Sequence, residues 1–151
     1  MKPFFFTMIA FVLIISHTVQ AQEQPAFKKG ERAPGTTFTG TVWVNYLIPN
    51  DSTFNCAVGH VTFEAGARSF WHTHQAGQFL LVTAGQGYIQ ERGKPVQLIQ
   101  KGDVVICKAG VEHWHGATPG SSMTHIAINP NTENGLVTWL KPVTDAEYPK
   151  K

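Results

Sequence analysis

Turn-forming residues recur at short intervals along most of this chain and leave no segment long enough for an amphipathic helix. Between the turns lie short segments rich in aromatic and β-branched residues, with apolar and polar positions in alternation, which is typical of strands. We predict strands over residues 38–47, 57–64, 78–84, 87–91, 96–99, 103–107, 123–129 and 136–140. Many short strands at regular spacing indicate an all-β sandwich or barrel.

Three local signals define the predicted turns. Residues 49–52, Pro-Asn-Asp-Ser, have the composition of a turn, and Gly85 is interpreted as a break between two strands. Near the C-terminus, Thr144 and Glu147 have the spacing of a capping box, which predicts one short helical turn.

Length and composition limit the class of protein. The chain has 151 residues, enough for one domain with its own core, and 42% of them are hydrophobic while only 15% are charged. This balance argues against intrinsic disorder. The formal net charge is +2 and no run of five or more basic residues occurs, so we expect no nucleic-acid partner.

The N-terminal residues read as an export signal. Residues 1–21 have a basic start at Lys2, an almost wholly apolar segment over residues 4–15, and the small residues Val19 and Ala21 at the spacing of a cleavage site. The apolar segment is short for a membrane span, so we expect no stable membrane insertion after cleavage. We predict a periplasmic or secreted protein in which residues 22–37 form a partly mobile linker and residues 38–151 form the domain.

Two cysteines remain in a chain predicted to leave the cytoplasm, where disulfides persist. Cys56 and Cys107 lack the spacing of a zinc-binding pair. The sequence leaves two alternatives open, namely a Cys56–Cys107 bridge or a Cys107 buried as a small hydrophobic residue.

The segment from Gly66 to Gly85 carries the strongest chemical signal. His72 and His74 are two residues apart in a strand-like run, so their side chains would point to the same face, and imidazole is a common metal ligand. Gln78 follows a short turn-like break, and His113 comes from a second glycine-containing segment. These four side chains could hold one metal ion and leave two open coordination positions. The alternative for the histidine pair alone is chance alternation on an ordinary sheet.

The spacing of the whole set resembles the two motifs of the cupin superfamily. The first segment reads G-x5-H-x-H-x3-Q-x6-G from Gly66 to Gly85, and the second reads G-x5-K-x-G-x2-H from Gly102 to His113. The resemblance implies a single-domain cupin (jelly-roll) β-barrel. The chain departs from the family pattern where Gln78 replaces a glutamate, Lys108 a proline and Ala117 an asparagine. A neutral Gln78 amide would leave the metal's positive charge uncompensated and favour an anionic ligand.

A closer resemblance covers residues from about 38 to about 148. The runs HVTFEAGARSFWHTH, GQFLLVTAG, GDVV, HWHGATP and MTHIAI are similar to those of small bacterial cupins that include the manganese-dependent (R)-selective hydroxynitrile lyases. The resemblance implies one divalent metal, manganese first and iron, nickel, cobalt or zinc as alternatives. It also implies a small-molecule cyanohydrin or carbonyl-type substrate and a homo-oligomer, either a dimer or a tetramer. A quercetinase-like dioxygenase and a non-catalytic binding cupin remain alternative functions.

The remaining histidines complete the predicted site. By alternation His125, Ala127 and Asn129 share one face of a strand, and His125 is the candidate general base or acid, a role that the resemblance also implies. The alternative for His125 is a core histidine bonded to the backbone. His115 is two residues after His113, so in a strand it would point to the same side and could face the cavity or its rim. The alternative for His115 is a hydrogen bond behind the metal ligands or at the surface. His60 is expected to be structural. The resemblance further implies a substrate space lined by Gly59, Val61, Ser69, Ala127 and Asn129.

Overall fold

The structure of the protein, a computed structural model, describes residues 26–150. The predicted signal peptide and the start of the predicted linker lie outside the described residues. The described chain forms twelve strands and one short 3-10 helix. The strands are β1 (Glu31–Arg32), β2 (Phe38–Thr39), β3 (Val42–Asp51), β4 (Cys56–Phe63), β5 (Arg68–Ser69), β6 (His72–Thr73), β7 (Gln78–Glu91), β8 (Gln97–Gln100), β9 (Val104–Cys107), β10 (His113–Ala117), β11 (Met123–Pro130) and β12 (Thr138–Trp139), and the helix spans Thr132–Asn134.

The strands form two antiparallel faces that share one long strand. The first face has the order β1-β3-β4-β11-β7-β9. The second runs β8-β7-β10-β5-β2, and β6 lies between β10 and β12. Because β7 belongs to both faces, the sheet curls into a half-barrel. The predicted all-β cupin barrel is confirmed.

The prediction of two separate strands on either side of Gly85 is wrong. Residues 78–91 form the single strand β7, which pairs with β11 and β9 in its first half and with β8 and β10 in its second half. Gly85 has φ +67°, and the register against β11 shifts between Thr124 and His125. The positive φ and the bulge therefore bend the strand from one face to the other rather than reverse the chain.

Other predicted boundaries shift for local reasons. Strand β3 continues to Asp51, and the turn comes after it, where the Asp51 carboxylate accepts the backbone N–H groups of Thr53 and Phe54 at 2.9 and 2.8 Å. Only Thr138–Trp139 of the strand predicted over 136–140 is paired. Within the segment interpreted as a linker, β1 pairs with β3, so at least that part is built into the sheet.

Two apolar clusters stabilise the half-barrel. The larger one fills the space between the two faces and includes the fully buried Phe63, Leu80 and Met123. The smaller one packs Trp71 and Trp114 beneath the C-terminal segment; its members are Trp71, Tyr88, Trp114, Val143 and Tyr148. The predicted capping box closes that segment, since the Thr144 backbone N–H donates to Glu147 at 2.8 Å and the Glu147 N–H donates back to the Thr144 hydroxyl.

The cysteines follow the second alternative left open by the sequence. Cys56 and Cys107 are both free, and Cys107 is buried in the larger core cluster. Burial raises the pKa of the Cys107 thiol to about 12, so this thiol stays protonated and packs as a small hydrophobic group. Within residues 26–150 no helix is long and apolar enough to cross a bilayer.

Candidate metal centre

Three histidines meet inside the half-barrel because two short strands pair there. His72 on β6 lies directly opposite His113 on β10, and their ring centroids are 4.3 Å apart. The His74 ring lies 5.1 Å from that of His72 and 5.6 Å from that of His113. One ring nitrogen from each residue lies within 4.8 Å of the others, and all three residues are buried. Strand pairing thus joins two motifs that are about forty residues apart in sequence.

Backbone carbonyls fix the tautomer of each histidine. The Nδ1 atoms of His72 and His113 lie 2.9 Å from the carbonyl oxygens of Phe70 and Val111. His74 Nδ1 lies 2.7 Å from the carbonyl oxygen of Leu136. A carbonyl oxygen can only accept, so Nδ1 carries the proton in each ring. Each Nε2 therefore keeps a free lone pair, as a metal ligand requires.

Gln78 joins this cluster through a tight turn. The Gly77 backbone N–H donates to the His74 carbonyl at 3.2 Å, and Gly77 has φ +82°. A Cβ atom there would lie 2.7 Å from the Cys107 carbonyl oxygen, so only glycine fits. The turn places Gln78 at the first position of β7, where its side chain is buried and its Nε2 donates to Asn129 Oδ1 at 3.0 Å.

Burial keeps the cluster uncharged. Desolvation lowers the pKa of His74 to about 4, and it also lowers the pKa of His113 and lowers that of His72 well below its usual value. The neighbouring imidazoles add to the effect on His72, because two positive rings at this distance would repel each other. Near neutral pH the three rings are therefore neutral bases, which is the form that binds metal.

The donor set fits a divalent transition metal. Among residues 26–150, His74 Nε2, His113 Nε2 and Gln78 Oε1 are buried and have no hydrogen-bond partner. Buried polar atoms are normally paired, so three such atoms at one place fit a common ligand that all three could bind. Imidazole nitrogen and amide oxygen suit manganese, iron, cobalt, nickel and zinc alike, so the donors alone do not select one metal.

A cavity of about 1000 Å³ opens beside the cluster. Of the residues expected to line the substrate space, Gly59 and Val61 on β4 and Ala127 and Asn129 on β11 do line this cavity. Ser69 lies elsewhere. It is fully buried behind β10, where its Oγ accepts the backbone N–H of His115 at 3.1 Å, and it is not among the cavity-lining residues.

His115 and His125 both stand on the cavity wall. The His115 ring lies 5.3 Å from that of His72 and 5.0 Å from that of His125, so it stands between the cluster and His125. His125 is fully buried, and within the described chain both of its ring nitrogens lack a hydrogen-bond partner. Burial, and secondly the charge of His60, lower the pKa of His125 to about 3, so it is neutral near neutral pH and able to accept a proton. His60 itself is buried outside the cavity, with its ring 5.4 Å from Phe27.

Aromatic residues that the sequence did not single out complete the wall. Phe63 lies on the same strand face as Val61, so simple alternation could have found it. Trp139 comes from β12, and its ring lies 4.9 Å from that of His72 and 5.4 Å from that of Phe38. Nothing near Trp139 in the sequence indicates this position.

Arg68, which precedes Ser69 on β5, points away from the cavity. Its guanidinium donates to the Val143 carbonyl at 3.1 Å and to Asp145 at 2.6 Å, and it stacks on Tyr148. The basic side chains that reach the cavity come from the exposed N-terminal segment and include Lys28 and Arg32. The inner wall around the histidines is therefore uncharged.

Comparison with known proteins agrees with this architecture. A family model described as "Cupin domain" matches residues 59–138. An (R)-mandelonitrile lyase from Granulicella tundricola is 45% identical over 117 residues, which is 78% of this chain and 89% of that protein.

Two solved structures superpose on this chain. A cupin-like protein from Thermotoga maritima superposes with a TM-score of 0.81 at 45% identity, over 82% of this chain and 94% of that one. A cupin 2 conserved barrel domain protein from Salinispora arenicola superposes with a TM-score of 0.53 at 17% identity, over 62% of this chain and 78% of that one. At that identity the second match concerns the fold alone.

Removal of one imidazole should empty the site. After reconstitution with Mn²⁺, we expect about one metal ion per chain in the wild-type protein and almost none in His72→Ala or His113→Ala, because a two-imidazole remnant holds the ion weakly. Elemental analysis by inductively coupled plasma mass spectrometry measures the ratio. The control is His60→Ala, which removes a buried histidine outside the cavity and should keep its metal. Stoichiometric metal in His72→Ala or His113→Ala would contradict the ligand set.

Proposed function

The chain belongs to the cupin family, and from that premise we propose that it is a metal-dependent lyase acting on small cyanohydrins or related carbonyl-type substrates. The observation that carries the proposal is the buried, neutral cluster of three imidazoles and one amide oxygen beside a cavity whose wall includes the neutral His125. The named activity of the Granulicella tundricola relative, at 45% identity over most of both chains, supports the choice of reaction.

In this proposal His72, His74, Gln78 and His113 hold a divalent metal, with manganese as the first choice. When bound, the metal supplies a centre of positive charge that stabilises negative charge developing on the substrate. None of the four side chains is anionic, and within residues 26–150 no Asp, Glu or Cys joins the three histidines in this cluster. The site would thus keep its full positive charge for an anionic group of the substrate.

The proposed work of His125 is proton transfer. As a neutral imidazole it accepts the proton of the cyanohydrin hydroxyl while the bond between carbon and the cyanide carbon breaks. The hydroxyl oxygen becomes the carbonyl oxygen, and the electron pair of the broken bond leaves with cyanide. The imidazolium then returns its proton to cyanide, so the products are a carbonyl compound and HCN, and His125 is neutral again. The low pKa of His125 favours that return.

The rest of the cavity would bind and orient the substrate. Gly59 and Ala127 leave space on the first face, while Phe63 and Trp139 offer aromatic surface close to His115 and His72. An apolar wall of this kind suits a small neutral molecule and keeps water away from the reacting atoms.

Oxygen dependence separates this reaction from that of a dioxygenase. With Mn²⁺-loaded protein we expect mandelonitrile to release benzaldehyde at the same rate under air and under argon, because cyanohydrin cleavage consumes no oxidant. Benzaldehyde release followed by absorbance measures the rate, with His72→Ala as the control for the uncatalysed background. A flavonol that is consumed only under air would instead favour the quercetinase-like alternative, and metal binding without turnover of either substrate would favour a non-catalytic cupin.

Replacement of His125 should separate catalysis from metal binding. We expect His125→Gln to keep its metal, since His125 is no ligand in this proposal, and to lose about 100-fold or more in kcat, since the proton acceptor is gone. Metal content and mandelonitrile turnover measured on the same preparation test both points, and His60→Gln serves as the matched control. An unchanged rate in His125→Gln would remove the proposed role of this residue.

We also propose that the mature chain is exported and forms a homo-oligomer. The apolar N-terminal segment with its small residues at positions 19 and 21 supports export. Strand β9 supports self-association, because in the described chain it pairs only with β7, and its Val104 and Ile106 are each 64% exposed. Native mass spectrometry of periplasmic protein should give a dimer or tetramer of chains lacking residues 1–21. A full-length monomer there would contradict both proposals.

A further inference from the structure

The side-chain amide of Gln78 can be oriented in two ways, with either its oxygen or its nitrogen towards the histidines, and strand β7 alone does not determine which. An amide group has an oxygen that can ligate a metal and an NH₂ group that cannot, and the two ends have almost the same shape. With the NH₂ end inward, Gln78 would donate hydrogen bonds to the free lone pairs of His74 Nε2 or His113 Nε2 and so compete with the metal. Some other group must favour the orientation with oxygen inward.

Asn129 is the group in contact with the opposite end of that amide. Gln78 Nε2 donates to Asn129 Oδ1 at 3.0 Å, while Gln78 Oε1 is buried and, within residues 26–150, has no partner. Gln78 begins β7 and Asn129 lies near the end of β11, so the contact joins two neighbouring strands of the first face. The acceptor on Asn129 therefore holds the NH₂ end and leaves the oxygen free.

We propose that Asn129 is a positioning residue for the metal centre, because its side-chain oxygen selects the oxygen rather than the nitrogen of Gln78 as the atom offered to the metal. This role differs from the substrate contact expected from the sequence resemblance. The inference rests on the metal site of the proposed function but not on lyase turnover. Groups that orient a metal ligand in this way alter metal affinity by about 10- to 100-fold.

Two substitutions of Asn129 test the need for an acceptor. Asn129→Leu has a similar volume but offers no acceptor, so we expect its Mn²⁺ dissociation constant to rise about 10-fold or more. Asn129→Asp keeps an oxygen acceptor and has no NH₂ group to turn inward, so its affinity should equal or exceed that of the wild-type protein. Competition against a chromophoric chelator measures each constant on metal-free protein. Equal affinity in Asn129→Leu and the wild type would overturn the inference.

Asn129→Leu in a Gln78→Glu background tests whether Asn129 orients the amide of Gln78 or only packs against it. A carboxylate has oxygen at both ends, so there is no longer a wrong atom to exclude, and Asn129→Leu should then change Mn²⁺ affinity by less than about 3-fold. A loss as large as that in the Gln78 background would mean that Asn129 only supports the fold, and it would overturn the inference. Failure of the proposed function is distinguishable, because it appears as absent mandelonitrile turnover in wild-type protein that has bound Mn²⁺.

Discussion

The candidate centre depends on hydrogen bonds from imidazole to backbone. His72 and His113 each donate Nδ1–H to a carbonyl two residues earlier in the same chain segment, so these rings are oriented by local backbone that is itself held by strand pairing. His74 donates to Leu136, which is 62 residues away. If any of these bonds were lost, the ring could rotate or carry its proton on Nε2, and the free lone pair would no longer point to the common centre.

The fold serves this centre by bending one strand across two faces. In β7 the first residue, Gln78, lies at the cluster of three histidines, and the second half pairs with β10, which carries His113 and His115. The bend at Gly85 thus lets one continuous strand carry Gln78 at its start and pair with the strand that carries His113 in its second half. Without the bend, the two faces would not enclose a common cavity, and the imidazoles would lie on an open sheet exposed to water.

The electrostatics of the cavity follow from burial. The inward histidines are all neutral near neutral pH because desolvation lowers their pKa values, and Arg68 points away to the C-terminal segment. A divalent ion would therefore be the dominant charge in the cavity. Burial also makes the protonated form of His125 unstable. His125 would therefore hold a proton only briefly, which suits its return to cyanide to form the weak acid HCN.

Sequence alone determined the fold class and the set of convergent donors, because strand alternation and motif spacing are local properties that His72, His74, Gln78 and His113 display directly. Alternation put Ala127 and Asn129 on the same face as His125, and the family resemblance implied that they line the substrate space. Only the tertiary structure decided which groups orient those donors and which residues close the cavity. The Leu136 carbonyl and the Asn129 amide contact their targets through strand pairing and loop return, and Trp139 enters from a separate short strand. These are contacts between distant segments, and no local pattern encodes a distance in space.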